Sequence, residues 1–174
     1  MSGENESRTL TAKDALKEFE SLVDKYETDI NLLFPKCQPS NIESALNLTE
    51  QDLNQMNSEE CGAKAHTLSQ YILYLQKEIN RNTIRVNWAK NKMNLLIAAK
   101  FNEYGDKYTK VEIKMGMLCK ENTYAAAING ILQHAEARIT SLTNITMHVS
   151  LICNTLMSLQ TSKRKQYHES IRTN

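Results

Sequence analysis

The sequence predicts an all-α protein: a long antiparallel helical hairpin with heptad seams, preceded by short N-terminal helices, with further apolar surface to be buried by those helices or by other copies of the chain. Three observations carry this. Gly and Pro number five and two in 174 residues, too few for a sheet with many tight turns. Apolar residues recur with 4-3 spacing over two long stretches. Residues 139–162 carry no formal charge, and their apolar side chains are spread too widely for one partner helix to cover.

Along the chain, residues 1–9 are expected to be disordered. Thr11 opens the first helix, with Asp14 three residues on as a partial capping box. Leu16, Phe19, Leu22, Val23, Tyr26, Ile30 and Leu33 then recur at helical spacing. Pro35 and Pro39 end that helix, because the residue before a proline avoids the α region. A short helix is expected after Ser40. Another follows Thr49, with Asp52 at its third position.

The main feature starts at Ser58. Cys61, Ala65, Leu68, Ile72, Leu75, Ile79, Asn82, Val86, Ala89, Met93 and Leu96 alternate steps of four and three, and no Gly or Pro intervenes between Gly62 and Gly105. This predicts one helix of about 45 residues with Asn82 as the register-fixing polar member of its seam. The helix is expected to break at Gly105. The segment "VEIKM" at 111–115 fits either a short strand or the start of the next helix. A second 4-3 series follows: Tyr124, Ile128, Ile131, Ala135, Arg138, Leu142, Ile145, Val149, Ile152, Leu156 and Leu159. Arg138 intrudes in it, and Ile139 beside it is expected to take over the contact. Two long helices joined by about 15 residues make an antiparallel hairpin.

Charge divides the chain. Residues 1–60 hold 5 basic and 13 acidic groups, net −8, whereas residues 61–174 hold 16 and 7, net +9. The expected division is an acidic helical N-terminal region, 1–57, and a basic helical-hairpin domain, 58–174; the asymmetry suggests a polyanion partner for the second half, the alternative being two ordinary surfaces or one half covering the other. The uncharged run assigns oligomerisation to Leu142, Ile145, Val149, Ile152, Leu156 and Leu159. That run is too rich in Ser, Thr and Asn to span a membrane. The N-terminus has no apolar signal region, so a cytoplasmic location is expected, and the sequons at Asn5, Asn47 and Asn144 are then chance matches. The four cysteines, Cys37, Cys61, Cys119 and Cys153, include no C-x-x-C pair and are expected to be reduced.

The sequence contains no phosphate-binding loop, dinucleotide fingerprint, zinc-protease motif or nucleophile elbow. His66, His134, His148 and His168 are scattered, without a paired nucleophile. A non-enzymatic protein without cofactor or metal is expected, which leaves binding. The stretch 80–102 carries Arg81, Arg85, Lys90, Lys92 and Lys100, no acid, and the single tryptophan, Trp88. On a helix Arg81, Arg85, Trp88 and Lys92 are i,i+3 and i,i+4 neighbours. An indole among cations stacks on an unpaired base while the cations track phosphates. The alternative is a Trp88 packed against a neighbouring helix and cations that merely solubilise. The basic tail at Lys163, Arg164 and Lys165 is the next candidate surface.

From about Glu50 onward the chain resembles the UvsY-type recombination mediator proteins of T-even-like bacteriophages. The likeness rests on an ordered set of stretches: "LSQYILYLQKE", "LLIAAKFNEYGD", "KYTKVEIKM" and, in pattern only, "TLMSLQTSKRK". The resemblance implies an accessory protein that binds single-stranded DNA and acts as a ring-like oligomer through its C-terminal helix. It also implies partners: a phage recombinase and the single-strand-binding protein that the recombinase replaces. The family carries two basic residues, two positions apart, before its tyrosine-glycine segment. Lys100 matches the second; the first falls on Ala98, a departure for which Lys90 and Lys92 are the nearest substitutes. The rival expectation is a helical adaptor or assembly chaperone forming coiled-coil oligomers.

Overall fold

The computed structural model describes residues 11–30, 35, 37–100, 103 and 109–172. They form six helices: α1 (Ala12–Asp29), α2 (Pro39–Leu46), α3 (Glu50–Gln55), α4 (Ser58–Ala99), α5 (Val111–Glu121) and α6 (Thr123–Arg172). No strand occurs among the described residues. The expected disorder of residues 1–9 and the expected break at Gly105 lie outside them.

The starts of the helices are encoded locally. Thr11 Oγ1 accepts from the Asp14 amide at 3.2 Å and Asp14 Oδ2 accepts from the Thr11 amide at 3.3 Å, a complete capping box. Thr49 and Asp52 do the same for α3, at 3.2 and 2.8 Å. Asn57 and Glu60 exchange equivalent bonds of 2.9 and 2.7 Å at the head of α4. Pro39 stands in the first turn of α2, where its missing N–H costs no helical bond. Segment 111–115 is helical, the second of the two expectations for it. Lys114 and Leu118, four apart, are the buried pair of α5, a helical rather than an alternating pattern. Asn122 separates α5 from α6, and its Oδ1 accepts from the Ala125 amide at 3.1 Å.

The chain divides into two compact units, each discontinuous in sequence: Met1–Leu32 with Asn82–Ala137, and Leu33–Arg81 with Arg138–Asn174. The expected division at 57/58 was drawn on charge and on the onset of the seam, whereas these units follow packing. In the second unit Ala45, Ala65, Leu68, Leu75, Val149, Cys153 and Leu156 form an apolar core, flanked by Leu46, Leu48, Leu53, Met56, Tyr71, Ile72, Leu142 and Ile152. Ser58 Oγ donates to the Gln160 carbonyl at 3.2 Å, Cys153 Sγ to the Ala65 carbonyl at 3.4 Å, and Arg138 pairs with Glu78 at 3.6 Å. Lys163 Nζ donates to the carbonyls of Leu53 (2.7 Å), Asn54 (3.3 Å) and Met56, covering the exposed C-terminal carbonyls of α3. In the first unit Ala12, Val86, Trp88, Ala89, Met93, Ile97, Leu118, Ala125, Ile128, Leu132 and Ala135 are buried. The only buried polar residues among those described, Asn82 and Lys114, also fall there.

Every member of the α4 series is buried or half-buried. The α6 series needs correction. Ile128, Ala135, Leu142, Val149 and Leu156 are inward as expected and Tyr124, Ile131, Ile152 and Leu159 are half-buried, but at each alternate position the residue one later is as buried or more so. Ala125, Leu132 and Cys153 are buried and Ile139, Thr146 and Gln160 half-buried, while Arg138 and Ile145 are exposed. Arg138 therefore does not interrupt the seam. Ile139 holds the inward position, and Arg138 turns out to reach Glu78.

The six residues expected at the assembly surface are placed unequally within one chain. Val149 and Leu156 are 3 % and 0 % exposed inside one chain, and Leu142 and Ile152 pack against the same core, so these four are occupied intramolecularly. Leu159 is half-buried. Of the six, only Ile145 is exposed, and the large apolar side chains that α6 presents outward are Ile145, Met147, Leu151 and Met157. No helix among the described residues is long and apolar enough to cross a membrane.

Candidate nucleic-acid interface

The C-terminal part of α4 holds five of the six candidate residues, and Lys100 follows at its end. Their surroundings differ. Arg81 is half-buried. Arg85 is held from two sides: its Nη1 donates to Oδ1 of the buried Asn82 at 3.1 Å, and its Nε donates to Glu20 Oε1 of α1 at 2.5 Å. Lys90 pairs with Glu136 of α6 at 3.0 Å, with the two side chains 53 % and 48 % exposed. Lys100 pairs with Glu103 at 3.0 Å, and both are exposed in large part. Lys92 is half-buried, and Ala98, the non-basic departure, is exposed.

The absence of acid within 80–102 therefore has a structural counterpart. The stretch is neutralised in part from outside, by Glu20, Glu136 and Glu103. The weights of these pairs are unequal. Exposed pairs such as Lys90–Glu136 and Lys100–Glu103 contribute about 0–1 kcal/mol, so little stability is lost when either opens. Arg85 is only 28 % exposed and has a second acceptor, so it is fixed more firmly.

Trp88 is 7 % exposed, with its ring stacked on Phe19 of α1 at a centroid distance of 6.1 Å and an interplanar angle of 24°. Of the two expectations for Trp88 this is the packed one, and in this arrangement its face is not open to a base. Phe19 and Glu20 were not among the residues singled out for binding. The signal that points to them is the charge of their helix: α1 carries three lysines and six carboxylates. In the alternative basic tail, Lys163 is engaged by α3, and Arg164 Nε donates to Ser58 Oγ at 3.2 Å.

The chain matches no family model, no curated protein and no solved structure.

The remaining chemistry is sparse. Among the described residues no group of three or more His, Cys, Asp or Glu is placed to hold a metal ion. Cys61 and Cys153 are buried thiols. Cys37 and Cys119 are half-buried, and burial raises their pKa above the ordinary thiol value, which lowers the reactive thiolate fraction.

Proposed function

We propose that this protein is a non-enzymatic recombination mediator. It binds single-stranded DNA along α4 and helps load a recombinase onto strands coated by single-strand-binding protein. The observation that carries the reading is the cationic stretch at the end of α4: five basic residues across 80–102 and no acid among them. Two of the carboxylates that meet these cations, Glu103 and Glu136, sit in exposed pairs that phosphate can replace. The resemblance to UvsY-type mediators supplies the recombinase, the single-strand-binding protein and the cytoplasm of a phage-infected cell as the setting. The antiparallel hairpin belongs to this reading, supported in the second unit by pairings of Ser58, Ala65 and Glu78 with Gln160, Cys153 and Arg138. So does the ring-like oligomer, for which the outward Met147, Leu151 and Met157 of α6 are the natural contact surface.

Those same exposed apolar side chains favour one second reading, a helical adaptor or assembly chaperone that binds no nucleic acid. A titration with single-stranded DNA at two salt concentrations separates the two. The mediator binds similarly on all sequences, because phosphate contacts carry no base identity. Lys92→Ala and Lys100→Ala each flatten the slope of log K against log salt by about 0.7. Binding that is absent, or indifferent to salt, sinks the mediator and leaves the adaptor.

A further inference from the structure

Helix α1 meets the basic part of α4 through two adjacent side chains of unlike chemistry. Phe19 offers an aromatic ring to Trp88, and Glu20 offers an anionic oxygen to Arg85. Trp88 and Arg85 are three apart on α4 and so lie on one side of it. A nucleotide offers the same pair of groups, a flat base and an anionic phosphate oxygen, one residue's length apart. The aromatic and the cation that receive Phe19 and Glu20 are the combination by which proteins hold unpaired strands.

The hold of α1 on the rest of its unit is light. Its one buried residue is Ala12, and Leu16, Phe19 and Val23 are half-buried, while Leu22, Tyr26 and Ile30 are 63 %, 64 % and 49 % exposed. A helix of 18 residues gains little stability alone, so its order depends on this packing. Segments with few buried apolar contacts open at the lowest free energies in a structure. Six carboxylates against three lysines also make α1 a helix that a bound polyanion repels once Arg85 has changed partner.

We propose that Phe19 and Glu20 occupy a nucleotide-binding site on α4, the ring in the place of a base and the carboxylate in the place of a phosphate. Helix α1 is then an internal competitor that single-stranded nucleic acid displaces. This rests on the single-strand-binding reading above and adds to it a site for one base at Trp88, one phosphate at Arg85, and a built-in threshold for binding. It also reconciles the burial of Trp88 with a role in binding: the ring is covered by α1 in the free protein and uncovered in the complex.

The test uses the full chain and a single-stranded oligothymidylate. Phe19→Ala with Glu20→Gln is expected to raise affinity about tenfold, the size of one competing charge-assisted contact removed. The salt slope is expected to match that of the wild type, because Arg85 meets a phosphate in both complexes. The isosteric Glu20→Gln alone is expected to raise affinity in the same direction should the double variant fold poorly. In the wild type, hydrogen exchange reports the displacement directly, since the amides of α1 lose protection when the oligonucleotide is added. Oligonucleotide binding equal in wild type and variants, with α1 protection unchanged, overturns the competitor and leaves the single-strand-binding reading standing. No binding by either form overturns both. Binding that appears only in the variants establishes the competitor in its strongest form.

Discussion

The two parts of α4 follow one 4-3 seam but differ in what they bury and what they meet. Residues 58–81 contribute Ala65, Leu68 and Leu75 to an apolar core completed by Val149, Cys153 and Leu156. Residues 82–99 bury Val86, Ala89 and Met93 in the same spacing but add Asn82 and Trp88, and their surface cations draw carboxylates from α1 and α6. The first part buries only apolar side chains and Cys61, so a change of volume is its main hazard, and its polar contacts to α6, such as Ser58–Gln160 and Glu78–Arg138, lie outside that core. The second depends on polar pairings, where the hazard is a group left without its partner. A helix can thus keep a single period along its length while one end acts as scaffold and the other as a surface with exchangeable partners.

The largest effect should separate buried from exposed apolar residues on α6. Val149→Asp places a charge in the core of the second unit and is expected to cost about 3–5 kcal/mol, seen as loss of the cooperative melt. Leu151→Asp, at a position 58 % exposed, is expected to leave the melt within about 0.5 kcal/mol while lowering the mass measured by light scattering. If Leu151→Asp leaves an oligomer of unchanged mass, this face of α6 is not the assembly surface.

The next effect sharpens the contrast between the two parts of α4. Asn82→Ala removes the acceptor of Arg85 Nη1 and is expected to cost about 1–3 kcal/mol by chemical denaturation. The loss should be partly recovered when Arg85 is also truncated, since no donor is then left unpaired. Simple addition of the two single effects would mean that the hydrogen bond does not couple them.

A smaller effect is expected at the exposed pairs. Glu136→Gln should change stability by about 0–1 kcal/mol, because both partners are near half exposed. A markedly larger loss would place the Lys90–Glu136 pair among the structural contacts and not the exchangeable ones.

The smallest effect belongs to the cap of α3. The Asp52 carboxyl is held below its ordinary pKa of 3.8, chiefly by the Thr49 hydroxyl and then by the Thr49 amide. A lowered folded-state pKa gives stability that is fully present above the unfolded value and is lost as pH falls through the lowered one. Denaturation midpoints should therefore fall slightly below pH 3.8, and Asp52→Asn should remove that component while lowering stability at neutral pH. An Asp52→Asn variant with the same acid response as wild type would remove the cap as its source.

Much of this was legible in the sequence because it is local. The Thr11–Asp14 and Thr49–Asp52 boxes, the start of α4 at Ser58 and the whole α4 seam follow from residues within a few positions of one another. The 128, 135, 142, 149, 156 series of α6 was fixed in the same way. Its alternate partner was not, because Ile131 and Leu132, like Ile152 and Cys153, are adjacent apolar residues that both satisfy a heptad pattern. Only a facing surface chooses between them, and it buries Leu132 and Cys153 fully while Ile131 and Ile152 stay half-buried. The sequence determined that residues 80–102 are basic and free of acid. It could not determine that Glu20 and Glu136, each at least 46 residues away along the chain, meet Arg85 and Lys90, or that Phe19 covers Trp88. Those pairings depend on which helices pack together, and the free energy that selects them comes from burial summed over a whole unit, not from any one stretch of chain.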